Sequence, residues 1–183
     1  MPFGRLVIVS GAPGAGKSSV AERLAQTSPS AQAVHLHADD FYAYIAKGFI
    51  EPWRAEAHAQ NAVVIDAVVA SARRYASGGL EVVVDGIFGP WFVEPWLVLA
   101  REGFDVHYVV LRPDEATTLA RGTARSTPGA LVDAGVISQM WEQFSALGHF
   151  EAHALDTTAL TLDETVTRIR LAVTERGLLL VPR

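Results

Sequence analysis

The chain has 183 residues, 50% of them hydrophobic, and a net charge of −5, enough apolar length to bury a substantial core and too little charge for a disordered polyelectrolyte. The acidic balance, with no basic run, argues against a protein whose main affinity is for nucleic acid or an anionic membrane surface. Cysteine is absent, which removes disulfides and thiolate metal sites, and no apolar run has the length of a signal core or membrane span, so a cytoplasmic protein is the expectation.

In chain order, residues 5–10 (R-L-V-I-V-S) read as a buried parallel strand. It runs into Gly11-Ala12-Pro13-Gly14-Ala15-Gly16-Lys17-Ser18, a complete G-x-x-x-x-G-K-[ST] phosphate loop, followed by a helical pattern over 18–26. Glycine permits the positive φ that turns successive N–H groups inward, and the following helix adds the positive end of its dipole, so the segment is suited to a nucleoside triphosphate. Gly11, Ala12, Gly14, Ala15, Gly16, Lys17, Ser18 and Ser19 are the expected nucleotide-binding residues. Lys17 is expected to reach the β- and γ-phosphates and the Ser18 hydroxyl to ligate Mg²⁺.

A second strand over 33–37 leads into H-A-D-D-F-Y, a short helix over 40–47, and a long helix over 54–77 that stops at Gly78-Gly79. A carboxylate at the exit of this strand suits acceptance of a hydroxyl proton or water-mediated support of Mg²⁺; Asp39 is the first candidate, Asp40 the second, and capping of the new helix is the structural alternative for both. His35 and His37 fall on one side of the strand, and lacking an H-E-x-x-H motif or cysteine partners they read as structural histidines rather than a zinc set. Arg54 and His58 share a helical face and are candidate substrate contacts.

The third strand, 81–85, ends in Asp85 within E-V-V-V-D-G-I-F, a Walker B-like pattern whose carboxylate would support Mg²⁺ together with Ser18. Gly86 then admits a close approach by chain or substrate, and Phe88, Trp91, Phe92 and Trp96 form an aromatic group, with Trp91 the candidate substrate contact. Residues 90–101 are helical but interrupted by Pro95, so a kink or two pieces are expected. After a strand over 104–111, a helix over 113–125 places Arg121 and Arg125 at i, i+4, positioned to neutralise a transferring phosphoryl group. Residues 122–129 form the most loop-like stretch. A helix over 132–147, a strand over 153–156 and a helix over 163–176 complete the chain, with Asp156-Thr157-Thr158 where an adenine would rest.

Five strands alternating with helices specify an α/β fold with a parallel sheet covered on both faces. The phosphate loop, the H-A-D-D-F-Y turn, V-V-V-D-G-I-F-G-P-W-F, and L-R-P followed by Arg121 and Arg125 together resemble the small P-loop kinases of the nucleoside monophosphate kinase fold. The shikimate and gluconate kinases, the chloramphenicol phosphotransferases and zeta-toxin-like bacterial ATP-binding proteins are the similar groups. Shikimate kinases carry D-x-D where this chain has His37-Ala38-Asp39, a departure that speaks against shikimate itself. The resemblance implies a three-layer P-loop sandwich with sheet order 2-3-1-4-5. It further implies one kinase domain over 1–183, substrate-binding helices over about 40–77 and a lid over about 121–131.

The expected activity is ATP- and Mg²⁺-dependent phosphorylation of a hydroxyl on a small polar metabolite or antibiotic-like molecule, with no nucleic-acid or membrane partner. Lys17, Asp39, Arg121 and Arg125 are the expected catalytic residues, Ser18 and Asp85 the metal ligands. Asp39, Tyr42, Arg54, His58, Gly86 and Trp91 are the expected substrate contacts, with Tyr44 and Trp53 on the pocket's border. A regulatory nucleotide switch and a nucleic-acid end kinase are the alternatives.

Overall fold

Five apolar runs become the strands β1 (Leu6–Ser10), β2 (Ala33–His37), β3 (Glu81–Asp85), β4 (Val106–Leu111) and β5 (Ala154–Leu155). In this computed structural model, which describes residues 2–126 and 129–182, they form one all-parallel sheet in the order β2-β3-β1-β4-β5. The connecting helices are α1 (Lys17–Gln26), α2 (Ala38–Ala43), α3 (His58–Ser77), α4 (Glu94–Arg101), α5 (Glu115–Thr123), α6 (Ala134–Gln143) and α7 (Leu162–Thr174).

The strand repeat of two divides β1 between two cores. Leu6 and Ile8 face a layer containing Ile65, Val68 and Ala72 of α3 and Trp96 and Leu99 of α4. Val7 and Val9 face α1 and α7 through Val20, Leu24, Val166 and Ile169. Burial on both faces explains why β1 is apolar from Leu6 to Val9, as parallel central strands are. At the sheet's far edge β5 pairs with β4 only at Val110 and Leu111. The lower half of β4 is covered from the other direction: Tyr108 N–H donates to Leu178 O and Leu180 N–H to Val106 O.

Local chemistry explains the departures from the expected boundaries. The helix expected over 40–47 is α2, which starts two residues earlier, at Ala38, and stops four residues earlier, at Ala43. The segment that follows is tied to α3 instead: the Gln60 side chain accepts from Ile50 N–H and donates to Ile50 O, and Asn61 donates to Pro52 O. Pro95 produces the two-piece outcome, a 3₁₀ turn at Pro90–Phe92 and then α4 with the proline in its first turn. Pro113 lies outside α5, because Asp114 is the cap, its carboxylate accepting from Thr117 N–H. A full capping box at Thr161 and Glu164 starts α7. No helix among the described residues is long and apolar enough to cross a membrane.

Candidate active site

The sheet delivers the carboxyl ends of β1, β2 and β3 side by side, and the polar residues gather there. Gly11, Gly14 and Gly16 have φ of 143°, 88° and 91°, so the loop between β1 and α1 takes the conformation that L side chains rarely adopt. At Gly14 a second constraint acts, since a Cβ would lie 2.4 Å from Thr118 O and 2.9 Å from Gly122 N. Helix α5 is therefore seated directly on the loop. Ala12 and Ala15 are buried beneath it, whereas Ser19 is exposed on α1.

Lys17 Nζ donates to Ala12 O at 3.0 Å. Burial holds its pKa below the ordinary lysine value, against the pull of Asp39 and Asp85, and Arg125 adds to the lowering. Three of the charges singled out in the sequence therefore act on one ammonium group. Arg121 does not belong to that set: its charge acts on Asp114. The expected shared helical face is lost because α5 ends at Thr123, leaving Arg125 beyond the helical repeat. Thr127 and Pro128, inside the expected lid, lie outside the described residues.

Asp85 is fully buried, and its carboxylate is saturated with donors. Ser18 Oγ donates to Oδ2 at 2.8 Å. His35 Nε2 lies 2.6 Å from Oδ1, and His37 Nδ1 lies 3.1 Å from Oδ1 and 3.0 Å from Oδ2. Burial alone would raise the Asp85 pKa, but the bonds to His35, His37 and Ser18 overcome it and hold the group well below the usual carboxylate range. The bond to Asp85 correspondingly raises His37 against its own burial. These histidines, expected from spacing to be structural, are hydrogen-bonded to the candidate metal-supporting carboxylate. The i, i+2 alternation immediately before Asp39, on a strand neighbouring one that ends in an acid, was the available signal.

Asp39 sits in the first turn of α2, its side chain 65% exposed, with Oδ2 3.7 Å from His37 Nε2. The residue at the helix cap is His37 and makes no side-chain capping bond, and neither Asp39 nor Asp40 serves as the cap. Asp40 is exposed and acts electrostatically on His37. Tyr42 is half-buried, and burial followed by the Asp39 charge pushes its pKa up to about 12.

Around this opening the other expected contacts divide. His58 stacks on Phe92 with ring centroids 6.0 Å apart, and the half-exposed Trp91 is tilted against Phe144 at 5.6 Å. Arg54 is engaged by Glu51 and Glu56 at 3.5 and 3.8 Å. At Gly86 the close approach is made by the chain itself: a Cβ would lie 2.7 Å from the Phe88 ring and 2.8 Å from Ala38 Cβ, so no room is left there for a ligand. Trp96 and Phe88 are buried and packed edge-to-face, as core rather than wall. Trp53 and Tyr44 are exposed. In the expected adenine region Asp156 Oδ1 accepts from both the N–H and Oγ1 of Thr158, closing its own turn.

A parallel sheet of this order, entered through a left-handed glycine loop that opens a helix, defines a P-loop protein with a kinase-like fold. Residues 6–147 match the family model described as an AAA domain, and the chain belongs to that family. No functionally curated protein matches the sequence. Among solved structures, a sugar kinase from Janibacter sp. HTCC2649 is 17% identical with a TM-score of 0.68, over 95% of this chain and 98% of that one. The tunicamycin resistance protein of Deinococcus radiodurans is 20% identical with a TM-score of 0.66, over 98% and 99%. The APS kinase CysC of Mycobacterium tuberculosis, in complex with AMPPNP and APS, is 20% identical with a TM-score of 0.66, over 96% and 99%. A chain of the Pnkp1/Rnl/Hen1 RNA repair complex is also similar, at 20% identity and a TM-score of 0.62, but the match covers 78% of this chain and only 44% of that one.

Proposed function

We propose that this protein is a phosphotransferase that moves the γ-phosphoryl group of ATP to a hydroxyl of a small polar molecule. The observation that carries the reading is the positive-φ loop that sets Lys17 and Ser18 at the start of α1, with Ser18 Oγ donating to the buried Asp85 Oδ2 at 2.8 Å; the charges of Asp39, Asp85 and Arg125 all bear on Lys17. An acid, a metal-supporting carboxylate and an arginine around one phosphate-binding lysine are the parts that phosphoryl transfer requires.

The loop amides and Lys17 hold the polyphosphate, and Arg125 neutralises charge on the transferring group. Asp39, exposed to an incoming acceptor, takes the hydroxyl proton as the acceptor oxygen bonds to the γ-phosphorus and the bridging oxygen leaves with ADP. Ser18 Oγ and Asp85 Oδ2 offer the hard oxygen donors that suit Mg²⁺, and their 2.8 Å contact fits that role. When bound, the ion neutralises phosphate charge and fixes the geometry of the leaving group. Arg121 is retained as a closing residue of the lid over about 121–131, within one kinase unit spanning 1–183 whose acceptor side is residues 40–77. Tyr42, His58 and Trp91 line the acceptor side, and Arg54 joins them if the acceptor is anionic enough to displace Glu51 and Glu56.

The test is a panel of sugars, nucleosides, aminoglycosides and phenicols, scored for ADP release above the basal ATPase rate. Asp39→Asn is expected to bind ATP as the native protein does and to lose transfer by roughly 100-fold or more. Undiminished transfer in this variant removes Asp39 from the role of base. A second reading, phosphorylation of a nucleic-acid end, is favoured by the likeness to the RNA repair chain. Its signature is oligonucleotide binding that weakens steeply with salt, and the net charge of −5 weighs against it.

A further inference from the structure

The cluster behind the phosphate loop has more ligand chemistry than a magnesium nucleotide uses. His35, His37 and Asp85 each present one donor atom, and these atoms lie within 4.8 Å of one another. Their positions are fixed by two paired strands. His37 is in register with Asp85 across the β2–β3 ladder, and His35, two residues earlier, points to the same face. The carboxylate is fully buried, whereas the imidazoles are 24% and 29% exposed, leaving an entry path from solvent.

We propose that His35, His37 and Asp85 form a binding site for a first-row transition-metal dication, loaded without nucleotide and distinct from the Mg²⁺ that accompanies ATP. Two imidazole nitrogens and one carboxylate oxygen suit zinc, cobalt or manganese far better than magnesium, which takes oxygen ligands and keeps its waters. Ligands around a tetrahedral ion at about 2.0–2.1 Å stand about 3.3 Å apart. The observed 2.6 and 3.0–3.1 Å separations reach that spacing if each imidazole retreats by less than about 1 Å. A bound ion replaces the two imidazole hydrogen bonds to Asp85 with coordinate bonds and neutralises the buried carboxylate. Oδ1, the oxygen nearest His35, serves this ion; Oδ2 stays directed at Ser18.

The site shares Asp85 with the phosphotransfer reading but does not rest on it, and the experiment separates the two. Nucleotide-free protein is titrated with Co²⁺, following its visible d–d absorption, and with Zn²⁺ by calorimetry, both in excess Mg²⁺. One ion per chain with an intense tetrahedral spectrum is expected, and His35→Gln or His37→Gln is expected to weaken binding by at least about tenfold. Lys17→Ala is expected to keep the ion while losing ATP. A second measurement covers histidine variants that fail to fold: in the native protein, Zn²⁺ should shift the imidazole nitrogen resonances of His35 and His37 and leave His58 unmoved. Absence of uptake in excess Mg²⁺, affinity unchanged in both folded histidine variants, or shifts confined to other histidines overturns the site, whatever the outcome with ATP.

Discussion

His107 shows what burial does to a single titratable residue. It is 1% exposed near the start of β4, and neither ring nitrogen has a hydrogen-bond partner, Nε2 lying 3.4 Å from the Asp105 carboxylate. Burial lowers its pKa, outweighing the attraction of Asp105, and burial likewise lowers His153. For a lowered imidazole the unfolded chain takes up the proton first. Its stability contribution is therefore complete above the ordinary value of 6.5 and is lost as the pH falls below it. His37, raised by Asp85, has the opposite sign and loses its contribution as the pH rises through its folded value. Melting followed between pH 7.5 and 5.5, about one unit either side of the ordinary histidine range, should show acid destabilisation that His107→Leu reduces. One proton corresponds to about 1.4 kcal/mol per pH unit, and an unchanged slope in the variant would mean that His107 titrates alike in the folded and unfolded chains. The Asp85 cluster carries the same lesson at the candidate site. No spacing rule connects residue 35 with residue 85; their meeting follows only from the β2–β3 register.

Among elements, α5 has the closest relation to chemistry. Its backbone at Thr118 and Gly122 meets Gly14, and a Cβ at Gly122 would lie 2.8 Å from Ile137 Cδ1 on α6. The helix is held between the phosphate loop and α6, so displacement of α5 must move the loop. Gly122→Val is expected to cost about 1–3 kcal/mol through overpacking, lowering the melting temperature, and to weaken ATP binding in parallel. Reduced stability with unaltered nucleotide affinity would show that α5 rests on the loop without shaping it. Strands β2 and β3 coincide with residues 33–37 and 81–85 because each is a short β-favouring run with clear boundaries. Helix ends were harder to read. The repeat of apolar residues continues past Ala43, but Gln60 and Asn61 hold the following segment by its backbone, a tertiary effect absent from local pattern.

For the whole molecule, the parallel sheet was legible because strands and helices alternate, and its order came from resemblance to P-loop kinases; the order observed is the same. What alternation does not encode is which polar side chains the crossovers bring together. Helices α1 and α7 cover one face and α3 and α4 the other, so the phosphate loop at the end of β1 is joined to both cores. ATP at 100 times its dissociation constant is expected to stabilise the fold by about 2.7 kcal/mol, a rise of roughly 5–10 °C in melting temperature for a chain of this size. Lys17→Ala should abolish that rise; an equal rise would locate the nucleotide elsewhere.

The returning segment along β4 has a consequence for solubility. With β5 only two residues long, the outer margin of β4 would expose unsatisfied amide and carbonyl groups, a template on which a second copy could add a strand. Leu178 and Leu180 occupy those groups from the opposite direction. The protein thus shields its own aggregation-prone border with an intramolecular surrogate for a neighbour.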